Sequence, residues 1–161
     1  MRVVRGLRVG IVGLGRIGSA VAQRVRALGA EVLAHDVRPI PDGVTLPELL
    51  AGSDVVSLHV PLTRETRHLI GRDELALMKP GALLINTARG AVVDLDALLA
   101  ALRGGPLGGA ALDVLATEPP PLRPVAPNLI VTPHAAYYSP EAEERAYRLC
   151  VARVREVLGS S

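Results

Sequence analysis

The chain has 161 residues, which is enough for one domain with a single hydrophobic core. Apolar residues make up 49% of it and charged residues 21%, a balance that favours a folded globular protein over a disordered one. The formal net charge is only +2, the basic residues are scattered, and three tyrosines are the sole aromatic residues. A nucleic-acid-binding face needs a basic stripe with stacking aromatics, so none is predicted.

No apolar run approaches the roughly 20 residues that a membrane-spanning helix needs. The first six residues do not resemble a secretory signal. Cys150 is the single cysteine, which excludes an intramolecular disulfide and a thiolate metal cluster, and no metal site is predicted. The cytoplasm is the expected location, with no contact to a membrane.

Short apolar runs alternate with helical patterns along the chain, which is typical of a parallel sheet with helices on both faces. The predicted strands cover residues 7–12, 31–35, 54–60, 82–86, 109–113 and 128–132. The predicted helices cover residues 16–28, 46–51, 72–78, 95–103 and 140–158. Gly29 is placed to end the first helix, and Asp94 is placed to cap the fourth.

The last part of the chain contains a proline-rich loop and an amphipathic helix. The prolines of this loop are Pro119, Pro120, Pro121, Pro124 and Pro127. The helix carries an apolar stripe that is expected to be buried. The stripe consists of Ala146, Leu149, Val151, Val154 and Leu158. Cys150 in the same helix is expected to be a small core residue.

A G-x-G-x-x-G motif begins at Gly13, directly after the first predicted strand and at the start of the first helix. Gly13 allows the tight turn, Gly15 lets the backbone approach a pyrophosphate, and Gly18 lets helix and strand pack closely. The helix N-terminus then offers N–H groups to the phosphates. The motif predicts NAD binding by a doubly wound Rossmann domain of three layers that spans residues 1–161. The alternative is a glycine-rich turn that merely precedes a helix.

Asp36 ends the second predicted strand, where a carboxylate can accept hydrogen bonds from the adenosine ribose. A carboxylate there favours NAD over NADP, because it repels a 2′-phosphate. Arg38 follows two positions later, and it could hold such a phosphate or be a solvated loop charge. Asp36 is a stronger indicator of cofactor preference than Arg38, so NAD is the predicted cofactor.

Four further segments match one known family. They are Asn86-Thr87-Ala88-Arg89-Gly90, Ala111-Leu112-Asp113-Val114, Glu118-Pro119 and Thr132-Pro133-His134. Together they resemble the D-isomer-specific 2-hydroxyacid dehydrogenase family, and the resemblance runs from Gly6 to the last helix. Residues 132–139 are especially similar to the C-terminal-binding-protein branch, although Tyr137 stands where that branch has tryptophan.

The resemblance implies that Arg89, Glu118 and His134 form a catalytic set for reducing a 2-keto acid or oxidising a 2-hydroxy acid. His134 would supply the proton, since histidine titrates near neutral pH. Glu118 would orient the ring and stabilise the imidazolium, and Arg89 would bind the substrate carboxylate and keto oxygen. Taken singly, each has a simpler reading: a structural histidine, a solvated loop acid and a surface arginine.

The resemblance also implies a set of cofactor contacts. The full set is Gly13, Gly15, Arg16, Ile17, Gly18, Asp36, Val60, Pro61, Thr66, Thr87, Ala88, Arg89, Asp113 and His134. Arg16 and Ile17 would lie over the pyrophosphate, and Asp113 would accept from the nicotinamide carboxamide or instead cap a turn. His59 has either an adenosine-facing or a packing role, and His35 has no assigned one.

Members of this family are expected to have a second, substrate-binding domain, which has no counterpart in these residues. The chain alone is therefore expected to bind NAD with little dehydrogenase turnover. The resemblance also implies a homodimer formed through this domain. Two alternatives are an NAD(H)-sensing or dimerising module related to C-terminal-binding corepressors, and a scaffold without a ligand.

Overall fold

The structure is a computed structural model that describes residues 4–120 and 125–159, without the side chain of Val157. One sheet of six parallel strands lies between helices, as the sequence predicts. None of the helices in these ranges is long and apolar enough to cross a membrane. Pro121 and Pro124 of the predicted proline-rich loop lie outside the described residues.

Strands and helices alternate through most of the chain, which builds repeated βαβ units. The strands are β1 Arg8–Val12, β2 Glu31–His35, β3 Val55–Leu58, β4 Leu83–Asn86, β5 Gly109–Leu112 and β6 Leu129–Val131. The helices are α1 Arg16–Ala27, α2 Leu46–Gly52, α3 Arg72–Leu77, α4 Leu95–Gly104 and α5 Pro140–Leu158. A short 3₁₀ helix, Gly90–Val92, was not predicted.

The strand order is β2-β1-β3-β4-β5-β6. After β2 the chain crosses back over β1, so the order reverses between β1 and β3. In open sheets of this kind, ligands bind beyond the carboxyl ends of the strands at such a switch point. The topology therefore places the glycine motif, which follows β1, at this switch point. We call the edge of the sheet formed by the carboxyl ends of the strands the binding edge.

Alternate residues of β1 face the two helical layers. Val9 and Ile11 pack with Ala22 of α1 on one face. Val12 belongs to the larger cluster on the other face, which includes Leu50 of α2 together with side chains of α3 and α4. The sheet is thus the middle of three layers, with one hydrophobic cluster on each of its faces.

The structure contains the two predicted helix caps, Gly29 at the end of α1 and Asp94 at the start of α4. Gly29 follows α1 with φ +85°, and its N–H donates to Arg26 O at 2.9 Å. The Asp94 side chain accepts from the N–H of Ala97 at 3.1 Å. Both predictions are confirmed. Every strand except the second is shorter than predicted, by one to three residues. The predictions for the third, fifth and sixth strands extended into loop residues at the binding edge.

Helix α5 contradicts the sequence prediction. Four residues of its predicted buried stripe are exposed, and Val151 is half-buried. Leu149 is 63% exposed and Leu158 is 71% exposed. Cys150 is also exposed, so its predicted core role is wrong. An apolar stripe shows that one face of a helix is suited to burial. Whether that face is buried depends on a second apolar surface, which the sequence of the helix does not reveal.

Candidate active site

Two of the three glycines in the turn have close contacts that leave no room for a side chain. Gly13 has φ +91°, a conformation that glycine adopts without strain. A Cβ on Gly13 would lie 2.7 Å from His59 O, and a Cβ on Gly18 would lie 2.0 Å from Gly13 O. A Cβ on Gly15, by contrast, would meet nothing within 4 Å. Gly13 and Gly18 therefore serve the fold, while Gly15 faces open space where a ligand can approach.

The N-terminus of α1 is suited to an anion. Its N-cap is Gly15, which provides no side-chain cap, and its first turn holds no acidic residue. The first N–H groups of a helix have no intrahelical partners and lie at the positive end of the helix dipole. Arg16 and Ile17 in this turn are exposed, as expected for residues that would cover a pyrophosphate.

Asp36 lies beside the glycine turn. Its Oδ2 accepts from the N–H of Leu14 at 2.8 Å. Its Oδ1 accepts from both the backbone N–H and the Nε of Arg38, at 3.0 and 3.2 Å. The bonds from Arg38, together with the one from Leu14, lower the pKa of Asp36 to about 2. The carboxylate is thus ionised, oriented and adjacent to the phosphate-binding turn.

Asn86 at the end of β4 shapes the neighbouring loop. Its side chain accepts from the N–H of Ala88 and donates to Arg89 O, each at 3.0 Å. A Cβ on Gly90 would lie 2.0 Å from the carbonyl carbon of Leu115, so glycine is needed where this loop meets the next one. Arg89 is exposed, and its Nη1 donates to Ala88 O at 2.7 Å.

Asp113, which is 5% exposed, fastens the loop after β6. Its Oδ1 accepts from the Thr132 hydroxyl and from the N–H of Ala135, and its Oδ2 accepts from the N–H of Ala136. Burial raises the pKa of Asp113, but these hydrogen bonds outweigh burial and the net change is downward. Three of about four acceptor positions on the carboxylate are filled by the loop, which leaves one for a ligand amide.

His134 and Glu118 form a pair in this loop region. The Nδ1 of His134 lies 2.7 Å from Glu118 Oε2, and the other Glu118 oxygen accepts from the N–H of Leu115 at 2.6 Å. The N–H of Leu115 and the His134 ring hold the pKa of Glu118 below its usual range. His134 has φ +54°, an uncommon conformation for a residue with a side chain. The hydrogen bonds that Asp113 accepts from the N–H groups of Ala135 and Ala136 hold the turn at His134 in place.

The loop after β3 carries the remaining predicted contacts. Val60 is half-buried, Pro61 is exposed, and Thr66 Oγ1 donates to Pro61 O at 2.6 Å. This bond folds the loop back on itself at the binding edge. The structure thus brings every predicted site residue to that edge. It joins Glu118 to His134 and leaves Arg89 in the loop after β4, without an ion pair in the described part of the chain.

Three supporting residues were given no role from the sequence. Asn86 shapes the Arg89 loop, and Thr132 completes the Asp113 cluster. Ser57 lies 3.0 Å from the Nε2 of His59, whose pKa is lowered by burial beneath the glycine turn. The placement of His59 favours the packing role. The signal that could have identified Asn86 and Thr132 is their position at or just beyond a strand end, where a polar side chain can bond the next loop.

These features define a dinucleotide-binding domain, with a glycine turn, an uncapped helix N-terminus and an acid at the end of the second strand. Within the described residues, no group of His, Cys, Asp and Glu is arranged to hold a metal. The comparisons with known proteins identify the family. Residues 1–136 match the D-isomer specific 2-hydroxyacid dehydrogenase, NAD binding domain. The chain belongs to this family, and NAD is the cofactor of this domain.

Curated relatives and solved structures agree with this assignment. A glycerate dehydrogenase of Methylorubrum extorquens is 50% identical over 144 residues, which cover 86% of this chain and 46% of that protein. A glyoxylate reductase of Thermofilum pendens is 43% identical, over 96% of this chain and 49% of that protein. The D-lactate dehydrogenase structure from Aquifex aeolicus, complexed with NAD and lactic acid, superposes with a TM-score of 0.88 at 40% identity. That match covers 99% of this chain and 55% of the other. The chain therefore spans about half the length of the relatives it matches.

Proposed function

We propose that this chain is the cofactor-binding half of an oxidoreductase that acts on 2-hydroxy or 2-keto acids. The observation that carries the proposal is the 2.7 Å hydrogen bond between Glu118 and His134, at the same sheet edge as the glycine turn. A domain that only bound NAD would have no need of a histidine paired with a carboxylate at the nicotinamide end of the site. The names of the relatives support the same class of reaction.

In this proposal the cofactor lies along the carboxyl edge of the sheet. The α1 N-terminus holds the pyrophosphate, and Asp36 holds the adenosine ribose. Val60 and Pro61 of the loop after β3 border the adenine side of the cleft, and Thr66 of the same loop lies along the path to the nicotinamide. Thr87 and Ala88 line the path to the nicotinamide, whose amide takes the remaining acceptor position of Asp113.

The catalytic side chains then complete the reaction. Bound NADH supplies the hydride that reduces the keto carbon. His134 donates a proton to the keto oxygen, and the ionised Glu118 stabilises the charged ring before that transfer. Arg89 is exposed and can turn its guanidinium from Ala88 O to the substrate carboxylate, which it can bind with two parallel hydrogen bonds. In the oxidation direction His134 takes the proton back.

The catalytic pair is open to solvent in this chain. The His134 side chain is 46% exposed and that of Glu118 is 35% exposed. Hydride transfer is fastest in a closed site that excludes water and fixes the substrate. We therefore propose that these 161 residues alone bind NAD(H) with negligible turnover. In the whole enzyme, the second wall of the cleft comes from the substrate domain of the family.

A hybrid enzyme tests this proposal. Residues 7–137 would replace the matching segment of a related full-length glycerate dehydrogenase. We expect the hybrid to reduce a 2-keto acid with NADH, and His134→Gln to abolish turnover while NADH affinity changes by no more than about threefold. Arg103→Gln on the surface of α4 is the matched control. An active His134→Gln hybrid would overturn the catalytic role of this histidine.

A second candidate is an NAD(H)-sensing or dimerising module. The similarity of residues 132–139 to the C-terminal-binding-protein branch favours it, although Tyr137 takes the place of a tryptophan. We favour the enzyme because Arg89, Glu118 and His134 are all present. An inactive hybrid that still binds NADH and forms a dimer would reverse this preference. We also propose that the protein forms a homodimer through this domain and is located in the cytoplasm.

A further inference from the structure

Arg38 occupies acceptor positions that a ribose would need. Its backbone N–H and its Nε both donate to Oδ1 of Asp36, and the N–H of Leu14 donates to Oδ2. A carboxylate offers about four acceptor positions, so three are filled and one remains. An adenosine ribose presents two adjacent hydroxyls. Both can bond Asp36 only if one of the existing donors leaves.

The Arg38 side chain is the donor that can leave. The two backbone N–H groups are fixed by the strand end and the glycine turn. The Arg38 side chain is 70% exposed, whereas that of Asp36 is only 8% exposed. An exposed ion pair of this kind contributes little free energy, so its displacement by a ribose hydroxyl costs little. Ribose binding therefore releases a guanidinium within reach of the 2′ position.

A shallow pocket of about 300 Å³ lies beside this pair and is ready to receive a larger group. Its walls include Arg38, Ile40, Gly43 and Thr45. A second carboxylate nearby is that of Glu48, which accepts from the N–H and hydroxyl of Thr45. The pocket thus combines one movable cation with two fixed carboxylates, which weakens but does not remove the attraction for a phosphate.

We propose that Arg38 is a 2′-phosphate ligand held in reserve on Asp36, so that this domain binds NADPH as well as NADH. The inference rests on the proposed placement of the adenosine ribose at Asp36. The released Arg38 guanidinium binds the 2′-phosphate, and its positive charge offsets the repulsion between this phosphate and the Asp36 carboxylate. Because two carboxylates stay beside the pocket, NADH remains the tighter ligand, and Arg38 sets the ratio of the two affinities.

The test is a parallel fluorescence titration of the 161-residue chain with NADH and NADPH. For Arg38→Ala we expect the Kd for NADPH to rise about tenfold or more, as for the loss of a charged hydrogen-bonded contact. The Kd for NADH should change by about threefold or less, since only the displaceable donor is lost. Arg26→Ala, which removes an exposed arginine at the far end of α1, should change neither Kd.

Asp36→Asn provides the converse test, because it removes the repelling charge and frees Arg38. NADPH should bind this variant more tightly than wild type, and Asp36→Asn combined with Arg38→Ala should lose the gain. Three results would overturn the inference: no NADPH binding where NADH binds, equal weakening of both cofactors by Arg38→Ala, or a gain that survives in the double variant. Absence of NADH binding by wild type would instead overturn the proposed function, and this inference with it.

Discussion

Gly15 and Gly18 belong to one motif, yet the structure gives them separate tasks. A Cβ on Gly15 meets only open space, and its backbone φ of −74° suits any residue. Gly15→Ala should therefore keep the melting temperature and lose most NADH affinity, because the methyl group enters the space of the pyrophosphate. Gly18→Ala should lose both, since its Cβ would lie 2.0 Å from Gly13 O.

Thermal denaturation and NADH titration of both variants check this pair. Gly104→Ala is a suitable control, because a Cβ there also meets nothing within 4 Å and the residue lies in α4, away from the site. Equal loss of stability in the Gly15 and Gly18 variants would contradict the assignment of separate tasks. Unchanged NADH affinity in Gly15→Ala would contradict the placement of the pyrophosphate.

Asp36 should make folding stability dependent on pH in the acid range. Its pKa falls from 3.8 to about 2 in the folded chain, with the bonds from Arg38 as the main cause. The folded state is thus stabilised above pH 3.8, by about 2 kcal/mol or less, and this contribution disappears as the pH falls to about 2. Asp36→Asn should lose that free energy at pH 7 and match wild type near pH 2.

Urea denaturation of wild type and variant at several pH values measures this effect. Asp42→Asn, in the exposed loop that follows, is the control for a change of charge alone. The difference in unfolding free energy should also shrink in an Arg38→Ala background, because Arg38 is the principal partner. A difference that stays constant from pH 7 to pH 2 would show that Asp36 acts through packing and not through its charge.

For single residues, the sequence predicts the position of those that belong to a local motif. Gly13, Gly18 and Asp36 lie where the motif requires, because strand, turn and helix are contiguous in the chain. The fastening of the His134 loop by Asp113 could not be predicted. It depends on which backbone N–H groups point at the carboxylate, and the pairing of β5 with β6 decides this.

At the scale of elements, α5 differs from the other helices. The predicted caps of α1 and α4 are confirmed because capping is a local property of the chain. Burial of α5 is not local, since it requires a second apolar surface. The sheet has such a surface on the α1 side, where Leu83 is 43% exposed and Ile130 is 65% exposed. Four of the five residues in the apolar stripe of α5 are nevertheless exposed.

Substitutions in α5 should therefore have little effect on folding. Val154→Gln with Leu158→Gln should change the unfolding free energy by about 0.5 kcal/mol or less, as for exposed positions. Leu98→Ala in α4 should cost about 2–5 kcal/mol, because Leu98 is fully buried. Chemical denaturation compares the two. A large loss in the α5 variant would mean that this helix packs on the domain in solution.

At the scale of the whole molecule, the fold places the residues of the candidate site at one edge of the sheet. Parallel strands bring all their carboxyl ends to the same side, so segments far apart in sequence meet there. This explains why the alternation of strands and helices predicts that the loops after the strands meet at one edge of the sheet. The distance between Arg89 and the Glu118–His134 pair could not be predicted in this way, because it depends on loop conformation.

The most direct test of the account is an NAD⁺ titration of the ¹⁵N-labelled chain, followed by two-dimensional NMR. We predict saturable shifts of the amides of Gly13, Gly15 and Ala88, and of His134 at the nicotinamide end. Arg153 in α5 should not move. Shifts confined to other surfaces, or shifts at the glycine turn without any at Ala88 and His134, would contradict a cofactor that extends from Asp36 to the Glu118–His134 pair.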